Sequence, residues 1–290
     1  MGEIVGAGLL SHAPTIMFPL ELRLEINEGK EISLVPGLKR LRSEVLDSLN
    51  ADTFVVFDTH WFTTVEFVVS AHPMREGLYT SEELPRGMKQ IPYKMRGDPE
   101  LANAIAEAGT SSGARCLACD DPCLPIHYPT TNLAHHLPGD EAWLSVSVCQ
   151  TGRDSDFLTL GKAIGDAIAA SDRRVVLIAS GGMSHRFWPL AELEQHESSD
   201  PAHIRTQEAR AADELRLRWF AEGDHARVID HMEDYRPHKP EGMFAHYLMM
   251  AAALGGRDCK ALGRQFSDYE NATGTGQVHV WFDRPDDGWS

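Results

Sequence analysis

The sequence predicts an α/β fold, a single domain over residues 1–290 with a largely parallel or mixed central sheet flanked by helices. Three observations carry this prediction. Short runs rich in β-branched and aromatic residues alternate with longer segments whose apolar residues recur at helical spacing. No internal repeat, low-complexity tract or Gly/Ser linker interrupts the alternation, so nothing marks a domain boundary. A length of 290 residues with 42% hydrophobic content suffices for a substantial core.

Taken in order, Ile4 to Leu10 is an apolar strand ending at Ser11-His12-Ala13-Pro14. Pro36 opens a helix as its first residue, and Leu38, Leu41, Val45 and Leu49 share one helical face. Thr53 to Phe57 is a strand ending at Asp58-Thr59-His60-Trp61, and Thr64 to Val69 is another. The segment Ala71 to Gly97, rich in Gly, Pro and Tyr, is too long for a simple connector and reads as functional. Asp98-Pro99-Glu100 caps a helix over Leu101 to Ala108. Trp143 to Val148 reads as a strand, Asp156 to Ala170 as an amphipathic helix and Val175 to Ala179 as a buried strand. Asp200-Pro201 opens a long charged helix reaching Phe220. Glu241 to Leu254 is a helix stopped by Gly255-Gly256, and Gln277 to Phe282 closes the sheet.

The charge balance removes several function classes. Lys and Arg total 27 against 43 Asp and Glu, a net −16, which opposes a polyphosphate or an anionic membrane surface as partner. The longest apolar stretch, Leu248 to Leu254, is far short of a membrane span. Glu3 and the lack of a basic N-terminal segment give no sign of secretion, so a cytoplasmic location is expected. The five cysteines are Cys116, Cys119, Cys123, Cys149 and Cys259. The first three, with His127, have the outline of a metal site; with no fourth cysteine nearby, ordinary thiols are the expectation.

Fourteen histidines are present, and three of them, His12, His60 and His185, each lie just past the C-terminal end of an apolar strand. In open α/β sheets that edge gathers ligand sites, and imidazole is both a common metal ligand and a proton carrier near neutral pH. The others read differently. His135 and His136 read as a partly exposed pair, and His196, His203, His225, His231 and His238 as solvated. His246 reads as a hydrogen-bonded core residue.

The segments Ser11-His12-Ala13-Pro14, Phe57-Asp58-Thr59-His60-Trp61 and Ser184-His185-Arg186-Phe187 resemble the class III extradiol catechol dioxygenases. Gly77-Leu78-Tyr79-Thr80-Ser81-Glu82-Glu83-Leu84-Pro85, Gly97-Asp98-Pro99-Glu100-Leu101 and Gly274-Thr275-Gly276-Gln277-Val278 extend the match over nearly the whole chain. They are most similar to the members that cleave 3,4-dihydroxyphenylacetate. The resemblance implies a mononuclear Fe(II) held by His12, His60 and Glu241, with three coordination positions left for a catechol and dioxygen. It implies that His185 is the catalytic acid–base. It further implies a homo-oligomer acting on a small aromatic diol and yielding a muconic semialdehyde. Spacing alone does not nominate Glu241, which reads otherwise as an acid at a helix start.

Tyr128 and His127 fall in the stretch that lines the substrate side in the family. There this chain departs from the family pattern, with Pro129 in place of a glycine and His127 in place of an acid. Arg186 is the candidate partner for a substrate carboxylate. Two other readings accompany the dioxygenase: a zinc hydrolase built on the same His/His/Glu set, although H-E-x-x-H spacing is absent, and a non-catalytic binding protein on the same scaffold.

Overall fold

The run Val175 to Ala179 is fully buried from end to end, as a strand covered on both faces requires. It forms the middle of a sheet in the computed structural model, which describes residues 1–289. The strands are, in chain order, β1 (Glu3–Leu10), β2 (Thr53–Thr63), β3 (Phe67–Ser70), β4 (Met74–Tyr79), β5 (Ile91–Arg96) and β6 (Cys116–Cys119). They continue with β7 (Ala142–Cys149), β8 (Arg174–Ser180), β9 (Gly263–Gln265), β10 (Glu270–Ala272), β11 (Thr275–Gln277) and β12 (His279–Asp283). Eight of them make one mixed sheet in the order β6-β3-β7-β2-β8-β1-β12-β9. The inner four, β7, β2, β8 and β1, are all parallel, while β12 and β9 close one side antiparallel.

Side-chain alternation on β2 shows how the two faces are filled. Phe54 and Val56 pack with Leu38, Leu41 and Leu133, from the helices Leu34–Leu41 and Tyr128–His136. Val55 and Phe57 face the opposite core, with Leu101, Leu160 and Leu248 from the helices Pro99–Ser111, Asp154–Ala170 and Ala245–Ala253. The result is a helix–sheet–helix sandwich, the α/β class expected. β4 and β5 form a separate hairpin out of the long Ala71–Gly97 segment, and β10 with β11 another.

Several boundaries differ from the sequence expectation. The first amphipathic helix starts at Leu34, so Pro36 sits third in its first turn. The strand expected at Thr64 begins only at Phe67. Asp200-Pro201 opens a single 3-10 turn, Pro201–His203; the long helix begins at Gln207, where Thr206 Oγ1 accepts from the Ala209 amide and takes over as the cap. Glu241 precedes its helix instead of starting it. Gly242, Met243 and Phe244 have φ of 53°, 60° and 60°, a left-handed run that no α-helix contains, and regular helix begins at Ala245.

Two histidine readings are also corrected. His225 is fully buried, its ring nitrogens bonded to Tyr247 Oη and the Ala261 carbonyl, because it opens the short helix His225–Asp230 and its ring packs among Phe220, Tyr247 and Phe282. His246 is in the core as expected, but its ring nitrogens make no hydrogen bond. Burial keeps it neutral, with its pKa pushed down to about 4.

Candidate metal centre and pocket

β8 lies between β1 and β2, so three parallel strand ends emerge side by side. His12 follows β1 directly and His185 lies on the loop leaving β8. His60 needs a local device. The pairing of β2 with β8 stops at Asp58, and its pairing with β7 jumps from Asp58 to Phe62. Inside that bulge the fully buried Asp58 carboxylate accepts from the amides of His60 and Trp61 at 3.0 and 3.1 Å, and from Thr130 Oγ1 at 2.8 Å. The extra residues are thereby fixed and the imidazole is re-aimed toward the strand ends.

Glu241 arrives from the far end of the chain. Pro240 bridges to Ser184, and the Glu241 amide donates to the Met183 carbonyl at 3.0 Å, stitching this segment to the loop that carries His185. A Cβ on Gly242 would lie 2.7 Å from Thr59 Cγ2 at a positive φ, so only glycine lets the segment rest there.

The donor atoms of His12, His60 and Glu241 all lie within 4.8 Å of one another. Glu241 Oε1 is 3.1 Å from His12 Nε2 and 3.5 Å from His60 Nε2. Both imidazoles use Nδ1 elsewhere: His12 Nδ1 meets Ser180 Oγ at 2.9 Å, and His60 Nδ1 meets Glu83 Oε1 at 3.0 Å. These outer partners turn both Nε2 atoms inward, the arrangement seen around metal-ligating histidines. Glu241 accepts from Thr59 Oγ1 and the Gly182 amide, which hold its carboxylate in place. Two imidazoles and one carboxylate on one side of a common point fit a first-row dication that keeps open positions. Among the described residues no other group of three such side chains comes together. Cys116 and Cys119 lie on β6, Cys123 is exposed beyond it, and all are free thiols.

Electrostatics reinforce the fit. Burial opposes ionisation of Glu241, yet the imidazoles of His12 and His185 hold its pKa well below the ordinary carboxylate value. Burial would lower the pKa of His60, but the carboxylates of Glu241 and Glu83 outweigh it and raise the pKa to about 10. The cluster is thus a buried anion that gathers positive charge. His185 differs: burial lowers its pKa, leaving a neutral imidazole whose Nε2 is 3.8 Å from Glu241 Oε2.

These groups open onto a cavity of about 380 Å³, within the range of small-molecule sites. His12, Glu241, His185 and Tyr128 line it, together with Phe18, Leu84, Phe187 and Gln277. Tyr128 Oη lies 2.6 Å from His60 Nε2, and burial raises its pKa far above the ordinary phenol value, so it remains an O–H. The other two sequence candidates for substrate contact stand apart. His127 stacks on Trp61 and is absent from the cavity wall. Arg186 is spent on the Pro237 carbonyl and does not line the cavity either.

Sequence reasoning missed the supporting groups Asp58, Thr59, Glu83, Ser180 and Gly182. Asp58, Thr59 and Glu83 stand inside the very segments that carry the family resemblance, so proximity to the nominated histidines was an available signal. Ser180 ends the buried strand, where a hydroxyl after VVLIA marks the switch from packing to site.

A family model described as the catalytic LigB subunit of aromatic ring-opening dioxygenase matches residues 6–282. The chain is 28% identical over 260 residues to a 3,4-dihydroxyphenylacetate 2,3-dioxygenase of Escherichia coli, covering 88% of this chain and 91% of that one. It is 26% identical over 196 residues to a 2-aminophenol 1,6-dioxygenase beta subunit of Pseudomonas sp., covering 63% of each. The crystal structure of an uncharacterized protein from Escherichia coli K12 superposes with a TM-score of 0.66 at 16% identity, over 96% of this chain and 99% of that one. With its strand-end histidines, its distant carboxylate and a model match across almost its full length, the chain belongs to the LigB family of aromatic ring-opening dioxygenases.

Proposed function

We propose that the protein is an Fe(II)-dependent extradiol dioxygenase that opens the ring of a catechol related to 3,4-dihydroxyphenylacetate, adding both atoms of dioxygen to give a muconic semialdehyde. The observation that carries this reading is the His12/His60/Glu241 donor set with a neutral His185 3.8 Å from Glu241, the cavity being lined by His12, Glu241 and His185. Iron bound by those three residues would supply the electron transfer that lets triplet dioxygen react with a closed-shell ring. The chain's own groups do the rest. His185, kept neutral by burial, accepts a proton from a catechol hydroxyl at Nε2 and returns it as the ring opens. Tyr128 offers its O–H to a substrate oxygen at the cavity wall. Phe18, Leu84 and Phe187 shield the ring from water. We place the enzyme in the cytoplasm as a homo-oligomer, in line with its acidic composition and its family.

The test is oxygen uptake together with formation of a yellow product from catechols supplied to anaerobically iron-loaded protein, with metal analysis alongside. His12→Ala, His60→Ala and Glu241→Ala should lose iron and turnover together. His185→Ala should keep its iron while turnover falls about 10²–10⁴-fold, the usual worth of a positioned acid–base. Zinc in place of iron with hydrolysis of an ester, or full turnover by His185→Ala, would overturn the reading.

A further inference from the structure

The cavity is larger than a catechol ring needs, so its outer walls face whatever the ring carries. Those walls include Ile26, Leu193 and Phe187, with Thr15 and Thr273 as neutral polar groups. Outside the donor set and His185, the charged side chains lining it are Glu83 and Glu197, both acids, and among the described residues no Lys or Arg lines it. The neighbouring arginines are engaged elsewhere. Arg23 is paired with Glu31 through both its Nε and an Nη at 2.8 and 2.9 Å, and Arg186 donates to the Pro237 carbonyl at 2.6 Å. Glu83 is held by His60, whereas Glu197 has no ion-pair partner among the described residues.

A substrate carboxylate reaching this outer wall, where Glu83 and Glu197 are both solvent-exposed, would meet two like charges with no Lys or Arg to receive it, an arrangement that disfavours binding. An alkyl end would meet Ile26, Leu193 and Phe187. An ammonium would find the free Glu197 carboxylate at the wall. We propose that the catechol this pocket selects bears an uncharged or cationic side chain, an ammonium most of all, and that Glu197 is the residue that reads it. The proposal rests on the ring-cleavage reading above and narrows its substrate class away from acidic catechols.

Three catechols of similar size separate the cases: dopamine, 4-ethylcatechol and 3,4-dihydroxyphenylacetate. Their equilibrium binding to iron-loaded protein is measured by anaerobic calorimetry, and their turnover by oxygen uptake. Dopamine should bind about tenfold more tightly than 3,4-dihydroxyphenylacetate, with 4-ethylcatechol between them, and the gap should narrow as salt is raised. Glu197→Gln should cut the dopamine to 4-ethylcatechol binding ratio about threefold, and Glu197→Lys should move the preference toward 3,4-dihydroxyphenylacetate. Tightest binding of 3,4-dihydroxyphenylacetate by the unaltered protein would overturn the proposal, as would a ratio that Glu197→Gln leaves unmoved. The expected binding order without any oxygen uptake would keep the pocket assignment and sink the dioxygenase; binding of none of the three would sink both.

Discussion

Glu83 illustrates how a residue outside the donor set shapes the centre. It sits in the loop of the β4–β5 hairpin, and its carboxylate takes the Nδ1 side of His60 at 3.0 Å, leaving Nε2 for Glu241 and Tyr128. Its own pKa is lowered, with the hydrogen bond to His60 the largest cause. Glu83→Gln keeps the shape but removes the charge that holds the His60 Nδ1–H and aims Nε2 inward. Loss of such an outer partner commonly costs about 10–100-fold in metal affinity. Iron titration of the variant should show a loss of that size with the fold intact by circular dichroism, whereas an unchanged affinity would mean that the bulge at Asp58 orients His60 unaided. Ser180, which takes the same position on His12, is predicted to matter less, because a neutral hydroxyl supplies no charge.

At the scale of elements, Asp213 joins the helix Gln207–Ala221 to the loop that carries His185. Its carboxylate is fully buried and accepts from Tyr235 Oη at 2.6 Å, Ser184 Oγ at 2.7 Å, the Ser184 amide at 3.1 Å and Tyr269 Oη. Four donors, with no ion-pair partner among the described residues, suit an ionised carboxylate, while burial pushes the pKa the other way, up to about 6 from 3.8. The sign follows from the raised value. Between those two pKa values the folded state holds the proton more firmly than the unfolded chain, so the contribution of Asp213 to stability is largest at low pH. It declines as pH rises from 3.8 through about 6. The decline amounts to roughly 3 kcal/mol, at 1.4 kcal/mol per pKa unit. In denaturant melts the stability difference between the unaltered protein and Asp213→Asn should fall by that order between about pH 4 and pH 7. A difference flat with pH would show that Asp213 does not titrate there.

How much was legible in the sequence follows from what each element owes to local pattern. The buried run Val175 to Ala179, the Asp98-Pro99 cap and the strand-end position of His12 are written in neighbouring residues, and the structure repeats them; His60, expected past the end of its strand, lies instead inside β2, in the bulge that Asp58 fixes. The position of Glu241 is not, because no spacing rule ties it to a histidine so far back in the chain. Its left-handed approach depends on Thr59 lying opposite Gly242, a contact made only in the folded chain. Asp200-Pro201 failed as a helix start for the opposite reason: two caps compete within a few residues, and Thr206 wins.

For the whole molecule, the decisive fact is that the donor set spans the chain. His12 follows the first strand, His60 sits in the bulge of the second, and Glu241 lies beyond the long Gln207–Ala221 helix, so a bound ion ties together segments that meet only in the completed sheet. Binding therefore stabilises the native state as a whole and not one loop, since the unfolded chain presents no preformed site. At a free metal concentration about a hundredfold above Kd, linkage gives roughly 2.7 kcal/mol. For a chain of 290 residues, that is a rise of about 4 °C in Tm. Anaerobic calorimetric scans should show one transition that moves upward by this order with Fe(II) and returns when a chelator is added. His12→Ala and Glu241→Ala should show no shift at the same metal concentration. The two outcomes differ in shape as well as size. A site held by a single mobile loop would leave the main transition in place and add a small early one, whereas a site built from two strands and a distant carboxylate moves the whole curve.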